Sequence, residues 1–156
     1  MTPVALLDVN ILIALFDTVH THHDVAHDWF ADNNTSGWAT CPLTENGLLR
    51  VLGNPARRDA FLPIAQLGGH LRQFCASGHH EFWPDAISLR DEGLFDLTLV
   101  RGYRQVTDIY LLGLAVKHAG RLVTFDQRIQ LAAVKGATRG SLEVIGSGRS
   151  EVRSTK

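Results

Sequence analysis

Val4-Ala5-Leu6-Leu7-Asp8-Val9-Asn10 reads as a buried strand that ends on an acid and gives way to a helix. The same grammar recurs at Arg121-Leu122-Val123-Thr124-Phe125-Asp126. Short β-rich runs that alternate with helical stretches point to a parallel α/β sheet. Strands are expected at Val4 to Leu7, Gly37 to Thr40, Glu81 to Trp83, Leu122 to Phe125 and Leu142 to Ile145. Helices are expected at Asn10 to Asp17, His22 to Ala31, Leu43 to Leu52, Ile64 to Ala76, Ser88 to Phe95 and Thr107 to His118, with a short piece from Gln127 to Ala133. The Thr107 helix carries Ile109, Leu111, Leu112, Leu114, Ala115 and Val116, apolar on most faces, and should be buried. Its stop has a cation, His118, in the last turn and Gly120 just past the end. Ser88-Leu89-Arg90-Asp91 has the form of a helix-start box.

The chain of 156 residues suits one domain, expected over 1–146, with a polar, glycine-rich tail at 147–156 expected to be disordered. At 45% hydrophobic and 20% charged, its composition is that of an ordinary soluble protein. No apolar run approaches the ~18 residues of a membrane span, and Met1-Thr2-Pro3 offers no basic leader, so a cytoplasmic, membrane-free protein is expected. Cys41 and Cys75 lack zinc-ligand spacing and should be reduced, partly buried thiols without chemistry. A net charge of −1 gives no global basic field. Of the 15 basic residues only Lys117, Lys135 and Lys156 are lysines, and an arginine surplus suits RNA phosphates and bases. Base composition of a genome produces the same surplus, so charge alone decides nothing.

Asp8, Glu45, Asp108 and Asp126 each stand where an apolar run gives way to a helical pattern. In a parallel sheet those positions share one edge, so acids far apart in sequence can meet there. Taken singly, each acid is explained as a helix cap or a first-turn charge, worth ~0.3–1 kcal/mol. Taken together they resist that account. Two carboxylates ~4 Å apart repel by about 4 kcal/mol at an effective dielectric near 20. A cluster therefore calls for a cation or for shared protons. All-oxygen ligation favours Mg²⁺ or Mn²⁺ over Zn²⁺.

Leu7-Asp8-Val9-Asn10, Thr44-Glu45-Asn46-Gly47, Val106-Thr107-Asp108 and Val123-Thr124-Phe125-Asp126 resemble the successive acidic motifs of PIN domains, most of all the VapC-type toxin ribonucleases of bacterial toxin–antitoxin pairs. The resemblance runs from Leu6 to about Ile145 and no acid is missing. It implies a three-layer α/β/α PIN-like fold around a central, mainly parallel sheet of about five strands. It implies Mg²⁺- or Mn²⁺-dependent RNA cleavage, with Asp8, Glu45, Asp108 and Asp126 as metal-binding acids and Asn10 and Thr124 as supporting polar groups. A metal-activated water attacking phosphorus in line leaves a 5′-phosphate and a 3′-hydroxyl. Arg50, Arg101, Arg104 and Arg128, nearest the motifs in sequence, are candidates to hold the substrate RNA. The resemblance also implies a homodimer and a cognate antitoxin that wraps a groove and offers a basic side chain to the acids.

Other features compete less well. His23 and His27 lie four residues apart beside Asp24, an echo of a zinc-protease motif with a shortened acid and no third ligand. Asp8-Val9-Asn10 echoes haloacid-dehalogenase-type phosphatases, but Asn10 replaces the general acid. Trp29, Phe30, Trp38 and Trp83 suit core packing. Phe16, Trp29 and Phe30 are also candidates to line a partner groove. The functional alternative to a nuclease is a non-catalytic domain of the same fold that docks RNA or protein.

Overall fold

A computed structural model describes residues 2–57 and 62–146, so the expected tail at 147–156 lies outside the described residues. Five strands, β1 (Ala5–Leu7), β2 (Trp38–Thr40), β3 (His80–Phe82), β4 (Arg121–Thr124) and β5 (Leu142–Val144), form one sheet in the order β3-β2-β1-β4-β5. Every pairing is parallel. Helices α1 (Val9–Phe16), α2 (His23–Asn33), α3 (Pro42–Leu52), α4 (Ile64–Ala76) and α5 (Val106–Lys117) connect them.

Alternation along the central strands sorts the core into two halves. Ala5, Leu7, Trp38 and Val123 face Ile11, Leu12, Trp29, Leu48, Leu52, Leu67 and Leu71 from α1 to α4. Leu6, Ala39 and Leu122 face Ile109, Leu112 and Ala115 of α5, together with Trp83, Phe95 and Val134. Burial on both faces is what a parallel sheet requires, and the result is the expected three layers. Among the described residues, no helix is long and apolar enough to cross a membrane.

Two expected helices are absent. Ser88 to Phe95 folds as turns, because Ser88 Oγ accepts from Arg90 N (3.1 Å) and Asp91 Oδ1 from Gly93 N (2.9 Å), offering the backbone a local alternative to helix. Gln127 to Ala133 keeps only a 3₁₀ turn at Leu131–Ala133, since Asp126 Oδ1 captures Arg128 N at 2.8 Å. The α5 terminus also differs from expectation. Ala119, not Gly120, takes the left-handed conformation (φ 55°), and Gly120 N donates to Ala115 O at 2.8 Å. Gly120 is needed for space: a Cβ there would lie 2.6 Å from Val4 O and 2.7 Å from the Trp83 ring.

Candidate metal centre

The strand order reverses at β1: the chain leaves it for β2 and β3 on one side, then returns to β4 on the other. A crevice outside the strand ends at such a point is where open α/β sheets bind ligands. Asp8 follows β1 at that point. Its Oδ1 caps α1 by accepting from Val9 N (2.7 Å), and its Oδ2 accepts from Thr124 Oγ1 (2.7 Å) at the end of β4. The same Thr124 hydroxyl accepts from Asn10 Nδ2 (3.2 Å) and from Asp126 N (3.1 Å). One hydroxyl therefore ties together two strand ends, a helix start and a loop.

Asp108 lies in the first turn of α5, whose N-cap is Gln105, so it does not cap the helix. Its carboxyl group instead hydrogen-bonds that of Asp126 and feels the charge of Asp8. Burial, then the two neighbouring carboxylates, push Asp108 up to about 7. Burial also raises Asp8, which is 4% exposed, against the opposing hydrogen bonds from Thr124 and Val9. For Asp126 burial is outweighed by hydrogen bonds from the Arg128 backbone and from Asp108 and by the Arg128 charge, so it stays below the usual carboxylate range. Asp8 and Asp108 at one cleft with Asn10, whose buried Oδ1 has no hydrogen-bond partner among the described residues, and Asp126 beside Asp108 make an all-oxygen donor set that fits a hard divalent cation.

Glu45 stands apart from this trio. The N-terminus of α3 is closed by Thr44 Oγ1, which accepts from Cys41 N (3.0 Å), so Glu45 is free of capping duty. Its carboxylate accepts from Thr40 Oγ1 at 2.7 Å, and the same hydroxyl lies 2.8 Å from His80 Nε2. No hydrogen bond joins it to the other three acids among the described residues. Turning to a hydroxyl donor spares the cluster the repulsion of a fourth carboxylate. Burial lowers the pKa of neighbouring His80 and, with the Glu45 charge, pushes the Cys75 thiol up to about 11.

The expected arginines flank the acids in two clefts. Arg50 lines a cleft of roughly 340 Å³ with Asp8, Asn10, Gly47, Thr107 and Asp108. Arg101, Arg104 and Arg128 line another of roughly 240 Å³ with Tyr103, Gln105 and Asp126. Gln105 Nε2 donates to Arg128 O (3.2 Å) and fastens the two loops together. Sequence reasoning missed Tyr103, which is 80% exposed and receives a hydrogen bond from Arg104 Nε at 3.0 Å. An aromatic residue interleaved between Arg101 and Arg104 was the available signal.

His23 Nδ1 is 2.7 Å from Ala14 O, its ring is 5.9 Å from that of His27, and no metal-binding group among the described residues includes either. Trp29, Trp38 and Trp83 are buried, and Trp29 Nε1 donates to Glu143 at 2.8 Å. Phe16 and Phe30 are half-buried against Phe74, at 5.3 and 5.1 Å between ring centroids.

Comparison with known proteins agrees with this architecture. The PIN domain family model matches residues 5–135. Ribonuclease VapC44 of Mycobacterium tuberculosis is 43% identical over 141 residues, 90% of this chain and 99% of that protein. Ribonuclease VapC38 of the same organism is 49% identical over 122 residues, 78% of this chain and 84% of that one. In fold alone, the chain is similar to one in the crystal structure of VapBC2 from Rickettsia felis bound to a DNA fragment from their promoter. That match has a TM-score of 0.57 at 14% identity and covers 92% of this chain and 99% of the other. With matches of this identity and coverage, the chain belongs to the PIN domain family, among the VapC ribonucleases.

Proposed function

We propose that the protein is a Mg²⁺- or Mn²⁺-dependent endoribonuclease whose cation is held by Asp8, Asp108 and Asp126, with Glu45 as a fourth acid and Asn10 and Thr124 in support. The observation that carries the reading is geometric: at the switch point of the sheet Asp8 and Asp108 line one cleft, and the Thr124 hydroxyl joins the Asp8 carboxylate to the backbone of Asp126. When bound, such a cation lowers the pKa of water and offsets charge developing on the phosphate oxygens. Thr124 fixes the Asp8 carboxylate, and the Thr124–Asn10 bond aims the Asn10 amide. Arg50 on one side of the acids and Arg101, Arg104 and Arg128 on the other suit a phosphate backbone running across the centre. Tyr103 offers a ring face to an unpaired base. Attack by water rather than by a ribose hydroxyl leaves 5′-phosphate and 3′-hydroxyl ends.

The relatives' names and the VapBC2 likeness support a toxin restrained by a cognate antitoxin, whose basic side chain would compete with the cation for these acids. Free Cys41 and Cys75 suit a reducing cytoplasm. Exposed Leu97, Leu99 and Val106 supply apolar surface for a homodimer.

Incubation of the purified protein with total RNA tests the reading. Cleavage is expected with Mg²⁺ or Mn²⁺, to vanish with EDTA, and to fall on the order of a hundredfold or more in Asp8→Asn and Asp108→Asn. Cleavage that survives EDTA or persists in Asp8→Asn contradicts the mechanism. RNA binding without any cleavage favours the docking-domain alternative.

A further inference from the structure

Outside the three-acid centre, side chains from α3, α4 and β3 meet around the hydroxyl of Thr40. One carboxylate oxygen of Glu45, the Sγ of Cys75 and one imidazole nitrogen of His80 all lie within 4.8 Å of one another. Each residue is half-buried, open enough for an ion to enter and enclosed enough to hold it. The Trp38 ring, 4.5 Å from that of His80, fixes the plane of the imidazole. Thr40 already gathers Glu45 and His80 by hydrogen bonds of 2.7 and 2.8 Å.

The donors differ in kind from those of the acid cluster. Nitrogen, thiolate sulfur and a single oxygen form a borderline-soft set that selects Zn²⁺ over Mg²⁺ or Mn²⁺. Zinc bonds of about 2.0–2.3 Å require only a modest closing of these side chains, and three protein ligands leave the fourth position to water. Glu45 is the member the two sites share, and its carboxylate cannot serve both.

We infer that Glu45, Cys75 and His80 form a second, transition-metal site of the zinc class, and that filling it holds Glu45 away from Asp8, Asp108 and Asp126 and suppresses RNA cleavage. The inhibitory half rests on the reading of Glu45 as the fourth acid of the magnesium centre. On binding, the Cys75 S–H bond breaks, its proton leaves to solvent, and the sulfur electron pair forms the bond to the metal. No electron is transferred.

Co²⁺, whose bond to thiolate gives a near-ultraviolet charge-transfer band, is the probe. Metal-stripped protein should show that band, saturating at one equivalent. The band should disappear in Cys75→Ser, weaken in His80→Gln, persist in Asp8→Asn and be displaced by Zn²⁺. In excess Mg²⁺, Zn²⁺ should inhibit RNA cleavage by the native protein at least tenfold more than cleavage by Cys75→Ser, with circular dichroism confirming that the variants fold. A missing band, or one unchanged in Cys75→Ser, overturns the site even where Mg²⁺-dependent cleavage is intact. A Cys75-dependent band with equal Zn²⁺ inhibition of both proteins overturns the regulatory role. The optical reading does not depend on activity, so failure of the nuclease reading is distinguishable from failure of the metal site.

Discussion

Thr124 does through one hydroxyl what the four sequence motifs only imply. It donates to Asp8 Oδ2 at 2.7 Å while accepting from Asn10 and the Asp126 backbone. Partners that orient a metal ligand commonly change affinity or activity by about 10–100-fold. Thr124→Val, nearly isosteric, should therefore slow RNA cleavage by roughly that factor, with Thr124→Ser recovering most of it. Steady-state cleavage rates under saturating Mg²⁺ check the pair, and equal rates for native protein and Thr124→Val would deny the hydroxyl its positioning role. At this scale the positions of Asp8 and Asp126 just past β1 and β4 were legible in the sequence, because an acid closing an apolar run marks a strand end. The direction of the Glu45 side chain was not, since it follows from Thr40 and His80, which lie in separate stretches of chain.

Strand and helix order was legible because the short apolar runs at β1 and β4 and the longer helical stretches at α3, α4 and α5 leave one choice. Each of these elements lies within one residue of its expected bounds, and α4 coincides with them. The misses, at Ser88 to Phe95 and Gln127 to Ala133, share a cause: short side-chain acceptors captured nearby backbone N–H groups and outcompeted a weak helical pattern. Gly47 shows how element packing reaches the centre. It lies on α3 where a Cβ would stand 2.9 and 3.1 Å from the two methyls of Val9, the residue after Asp8. Gly47→Ala should push α3 off α1, costing about 1–3 kcal/mol of stability by overpacking. Urea denaturation measures the loss. Paired Val9→Ala should restore most of it if the clash is the cause, and failure to do so would place the strain elsewhere.

For the whole molecule, the order β3-β2-β1-β4-β5 is what brings residues more than a hundred positions apart to one crevice, and the repulsion gathered there becomes a property of the fold. Asp8 and Asp108 both have folded-state values above their ordinary ones, Asp108 at about 7. Between about pH 4 and pH 7 the folded chain therefore holds more protons than the unfolded one, so metal-free stability should fall as pH rises through that window. Asp126 acts in the opposite sense: its contribution is present above its unfolded value and is lost as pH falls through its lower folded value. Thermal melts of metal-free protein should show the decline up to pH 7, flattened in Asp108→Asn, and Mg²⁺ should raise the melting temperature most at the alkaline end. A melt that stabilises steadily from pH 4 to pH 7 would contradict the crowding. The most direct test of the centre is anomalous diffraction from a crystal soaked in Mn²⁺. A peak is predicted with oxygens of Asp8, Asp108 and Asp126 at about 2.1 Å. RNA cleavage by the same preparation without a peak at those carboxylates, or with the Mn²⁺ bound elsewhere, would contradict the account.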